Sequence, residues 1–89
     1  MNIAVFDVRV LRPDGREMRF DIVVRDRSPD RHPDTVLAHG RRYLVAKRIP
    51  ADALQATECR FCHAAFASPA VAAEIERIGF AIIEGQHCD

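Results

Sequence analysis

The residues with chemical potential crowd the last third of the chain: Cys59, Cys62, His63, His87 and Cys88. The run Cys59-Arg60-Phe61-Cys62-His63 admits four chemistries. Two cysteines spaced by two residues form half of a zinc knuckle, and Cys88 with His63 or His87 would close a tetrahedral set. That site needs a turn at Arg60-Phe61, because on a regular strand Cys59 and Cys62 point to opposite faces. A dithiol redox centre would set one thiol at a helix N-terminus, where the thiolate is stabilised. The nearest helix signal, Ser68-Pro69, lies beyond Cys62 by more than the single turn over which a helix dipole acts. Covalent c-type haem matches the string but needs export, a haem-sized pocket and a sixth ligand, and the only methionines are Met1 and Met18. The fourth reading is packing, with the thiols acting as small buried hydrophobes.

Composition narrows the setting. The chain has 89 residues, 48% hydrophobic and 29% charged, enough apolar material for one small domain over residues 1–89 and too little for two cores. Lys+Arg and Asp+Glu both number 13, so there is no cationic excess of the kind that nucleic acid or acidic membrane selects. No apolar run reaches membrane-spanning length, and the N-terminus lacks a basic, signal-like start. An odd, clustered cysteine set fits a reducing compartment better than a disulfide framework. The arginine-rich, alanine-rich composition suggests bacterial coding. The expectation is a cytoplasmic bacterial protein.

The elements that must position these residues are legible by periodicity. Residues 2–11 and 16–25 alternate apolar and polar around Arg12-Pro13-Asp14-Gly15, which predicts a hairpin closed by a type I turn and a glycine bulge. The register pairs Val10 with Met18, Val8 with Phe20, Phe6 with Ile22 and Ala4 with Val24. Residues 26–33 read as a polar loop. A helix is expected from a cap at Asp34 to about Arg48, ended by Pro50. A second helix has Ser68 as cap, Pro69 as first residue and Gly79 as left-handed terminus. Residues 53–61 and 80–83 supply two more strands. The order is ββαβαβ, an α+β fold of two layers: a four-stranded sheet with both helices on the face of Phe6, Val8, Val10, Phe20 and Ile22.

The same register fills the other face. Asp7 lies opposite Asp21 and Arg9 opposite Arg19, so the diagonals Asp7–Arg19 and Arg9–Asp21 are expected to pair as a solvated quartet. Ile3, Val5 and Val23 beside it would lack a cover, which predicts homo-oligomerisation through the outer face of the hairpin.

The marks Phe6-Asp7, Phe20-Asp21-Ile22, Glu58-Cys59-Arg60-Phe61-Cys62-His63 and Cys88 together resemble a small bacterial domain-of-unknown-function family. That family carries a Y-D strand, an H-F-D strand, E-C-x-F-C-H and a terminal cysteine; here Phe6 replaces the Tyr and Arg19 the His. The resemblance implies an α+β fold and no particular activity. The expected function is a binding module rather than an enzyme, holding zinc or another transition metal through Cys59, Cys62, His63 and Cys88. The alternatives are an interaction protein with incidental buried thiols, and a dithiol redox protein.

Overall fold

In the computed structural model, which describes residues 1–89, the predicted hairpin forms from β1 (Asn2–Leu11) and β2 (Glu17–Arg25). Every expected pair is present, including Val8 with Phe20 and Asp7 with Asp21. The turn closes as its residues require: the Gly15 amide donates to the Arg12 carbonyl at 2.9 Å, and Gly15 takes φ +87°, a conformation costly for any residue with a Cβ.

After β2 the proline-rich stretch is not a plain loop, because Ser28–Arg31 forms one helical turn, α1. The next helix, α2, spans Pro33–Ala46, with its cap two residues earlier than expected. Its cap is His32, whose Nδ1 accepts from the Asp34 amide at 3.1 Å, so Asp34 sits inside the first turn. Pro50 does not end it. The Ile49 amide donates to the Leu44 carbonyl, the Arg48 amide to Val45, and Arg48 takes φ +60°. This is a Schellman termination, sealed by burial of Ile49, with arginine in the place usually held by glycine.

Two 3-10 turns, Ala51–Ala53 and Ala56–Glu58, lead into β3 (Cys59–Phe66), which starts later than the expected 53–61 strand. Helix α3 (Pro69–Ile78) has the predicted ends: Ser68 Oγ accepts from the Val71 amide, and Gly79 stands at φ +92°. Strand β4 (Ala81–Gln86) completes an antiparallel sheet of order β3-β1-β2-β4.

The α+β class, the four-stranded sheet and the ββαβαβ order hold. The expected placement of both helices on one face does not. Val36 and Leu44 of α2 join Ala4, Phe6, Val8, Phe20 and Ile22 in the larger core. Ile75 of α3 joins Ile3, Val5, Val23 and Ala81 in a second core on the other face. The crossover from β2 to β3 already fills one face, so the connection between the two edge strands crosses the other. The apolar half of the hairpin's outer face is therefore covered within the chain. Ile3, Val5 and Val23 are only 5%, 4% and 0% exposed, which removes them as a self-association surface.

Candidate functional site

The cysteine block lies on β3, an edge strand paired only with β1. No turn interrupts Arg60-Phe61. Cys59 stands opposite Val8 and packs on the larger core, where burial, and next the Glu58 carboxylate, push its thiol up to about 11. Its Sγ lies 3.9 Å from the Gln55 carbonyl.

Cys62 has no partner in the ladder: Phe61 pairs with Phe6 and His63 with Val5, so Cys62 is the extra residue of a β-bulge. Adjacent strand residues normally point to opposite faces. Here the bulge brings Cys62 Sγ to 3.2 Å from His63 Nδ1, with both residues exposed.

Cys88 lies beyond β4, buried, with its thiol donating to the Arg19 carbonyl at 3.2 Å. Its contact strand, β2, is two strands from β3, about 10 Å at normal strand spacing. Zinc–sulfur bonds are about 2.3 Å long, so Cys88 cannot share an ion with β3. His87 is exposed, and its carbonyl accepts from Arg12. The expected set is thus divided: Cys59 and Cys88 both lie against the larger core but two strands apart, while Cys62 and His63 lie on an open edge. The chain contains no group of three or more His, Cys, Asp or Glu placed to hold an ion. All three thiols are free.

The polar half of the α3-side face holds Asp7, Arg9, Arg19 and Asp21, joined in register by Arg60 and His63 from β3. The expected diagonal ion pairs are absent; Asp7 pairs instead along its own strand with Arg9, at 3.8 Å. Asp21 is held above the usual carboxylate range, first by burial and then by Asp7 facing it, with His63 and Arg19 partly offsetting this. Shallow concavities of about 240 Å³ and 370 Å³ flank Asp7. These concavities are open to solvent, with no wall that would exclude water from a reaction.

A third feature was not anticipated. A groove of about 440 Å³ runs between α2, the end of α3 and β4, floored by Tyr43, Ile78, Phe80 and Ile82. Its Glu84 is committed to Lys47 and Tyr43, and its Glu74 to Arg77.

The edge itself is the most unusual surface. All of β3 after Cys59 is exposed, with Phe61 48% and Phe66 75% accessible. Phe61 is held edge-on to Phe6 at 5.7 Å, beneath the Arg31 guanidinium at 4.4 Å. The hydrophobic period of the segment could not reveal this exposure, because an edge strand is defined by what fails to pair with it.

These features define a small α+β domain with an antiparallel β3-β1-β2-β4 sheet, a helix on each face and an open, apolar edge. The chain belongs to the family described as Domain of unknown function (DUF2024), whose model matches residues 1–84. It is similar over its full length to the NMR structure of protein NE1680 from Nitrosomonas europaea, with 29% identity, full coverage of both chains and a TM-score of 0.82. No curated protein matches it. No helix is long and apolar enough to cross a membrane.

Proposed function

We propose that this protein is an interaction module that assembles with a second copy of itself by pairing β3 with β3. The observation that carries this reading is the eight-residue open edge with Phe61 and Phe66 exposed upon it. Natural edge strands are usually shielded by charge, proline, bulges or a cover. Strand β3 has one charge, Arg60, no proline and a single bulge at Cys62, which leaves the exposed Phe61 and Phe66 uncovered. A second copy is the favoured occupant because the strand is self-complementary. In an antiparallel pair centred between Cys62 and His63, Phe61 meets the partner's Ala64 and Phe66 meets the partner's Cys59. Arg60 then faces the partner's Ala65, so no like charges oppose. The chain's zero net charge adds no long-range repulsion between copies.

The bulge supports this register. A two-fold axis normal to the sheet keeps each residue on its own face, so opposed residues must share a face. In a regular strand, residues 61 and 64 do not. Across the bulge they do, because Phe61 pairs with Phe6 and Ala64 with Ala4, both on the α2 side.

The dithiol reading loses support. Cys59 and Cys62 are three extended residues apart, about 10 Å, beyond the roughly 7 Å limit for a disulfide. The metal reading is retained only for the Cys62–His63 pair.

Sedimentation in EDTA tests the proposal. The wild-type chain should be a dimer at high micromolar concentration, and Phe66→Lys a monomer with unchanged circular dichroism. A wild-type monomer under those conditions overturns it.

A further inference from the structure

Cys62 and His63 form half of a metal site. The bulge turns both toward one side of an open strand, and the pair is solvent-exposed. A tetrahedral ion with Zn–S of about 2.3 Å and Zn–N of about 2.0–2.1 Å separates its sulfur and nitrogen ligands by about 3.6 Å. The observed 3.2 Å needs to open by only a few tenths of an ångström. One chain supplies two ligands, and a structural site takes four.

Resting on the β3 pairing proposed above, we infer that two copies complete a Cys2His2 site for zinc or a similar borderline-soft divalent ion on their two-fold axis. In that register Cys62 stands opposite the partner's His63, and His63 opposite the partner's Cys62. Cβ atoms of directly opposed strand residues lie about 4.5–5.5 Å apart, within reach of one ion. All four side chains project from the same sheet face, because the bulge has already moved Cys62 to the side of His63. Two thiolates neutralise the divalent charge. Each thiol gives its proton to solvent on binding, so affinity rises with pH. Thiolate and imidazole together select zinc, or cobalt as its spectroscopic substitute, over magnesium or calcium.

The site differs from a single-chain knuckle in its stoichiometry. Cobalt(II) titration of the metal-free chain should saturate at one ion per two chains, with the visible bands of tetrahedral coordination and a thiolate charge-transfer band. Cys62→Ser and His63→Gln should abolish those bands yet still sediment as dimers in EDTA. Phe66→Lys should lose both dimer and bands. Added zinc should tighten the wild-type dimer tenfold or more. A dimer in EDTA that binds no cobalt overturns the metal site and leaves β3 pairing intact. Cobalt bound at one ion per chain, or bound undiminished by Cys62→Ser, also overturns the site. A chain that is monomeric in EDTA and without cobalt bands overturns both.

Discussion

Val5 and Phe6 are consecutive in β1 yet belong to different cores: Val5 lies with Ile75 of α3, Phe6 with Val36 and Leu44 of α2. Strand alternation sends neighbours to opposite faces, and here both faces are dry at the open end of the hairpin. Further along β1, at Asp7 and Arg9, one face returns to polar side chains. Much of the behaviour expected of the molecule follows from this change along one strand.

Ile75 is the one fully buried residue of α3 and the centre of the smaller core. Ile75→Ala should cost about 2–5 kcal/mol by transfer and cavity terms. For a domain of this size that lowers the melting temperature by at least roughly 10 °C. Thermal denaturation measures it directly. A loss under about 1 kcal/mol would mean that α3 does not cover Val5 and Val23.

Gly85 is required by close approach and not by backbone freedom. A Cβ there would lie 2.8 Å from the Arg19 carbonyl oxygen, a backbone atom that cannot swing aside. It stands where β2 and β4 shift register, and the same carbonyl accepts from Cys88. Gly85→Ala should destabilise by about 1–3 kcal/mol, as overpacking does. Hydrogen exchange should rise first at the end of β4.

Asp21 is held above the ordinary carboxylate range, so ionising it is harder in the folded chain than in the unfolded one. Below about pH 3.9, the unfolded value, both states are protonated and there is no penalty. The penalty grows as pH rises to the folded value and is constant above it. Asp21→Asn should therefore raise the melting temperature by a few degrees at pH 7, with the gain vanishing near pH 3. Melting curves of both proteins across that range check the sign.

The three thiols should separate kinetically. Cys62 is exposed, Cys88 buried, and Cys59 carries a thiol pushed up to about 11. Since the thiolate is the reactive form, a disulfide reagent in EDTA should modify one thiol per chain quickly. Cys62→Ser should remove that fast phase. Two fast thiols in the native wild type would contradict the burial of Cys59.

The sequence alone determined whatever depends on near neighbours. Pro13, Asp14 and Gly15 specify the turn; the turn specifies the register; Ser68, Pro69 and Gly79 mark both ends of α3. It also held a signal for the second core in the unbroken apolar runs Ile3-Ala4-Val5-Phe6 and Ile22-Val23-Val24, since a strand dry on both faces has no reason to alternate. What only the tertiary structure decided was partnership at a distance. Cys59, Cys62 and His63 fall within five residues, a spacing that suggests one site until the strand is laid against β1. The strand then turns Cys59 inward, and the bulge turns Cys62 beside His63. Cys88, predicted to join them, is separated by the width of two strands. Spacing along a chain limits which side chains can meet, but strand order and a single unpaired residue decide which do.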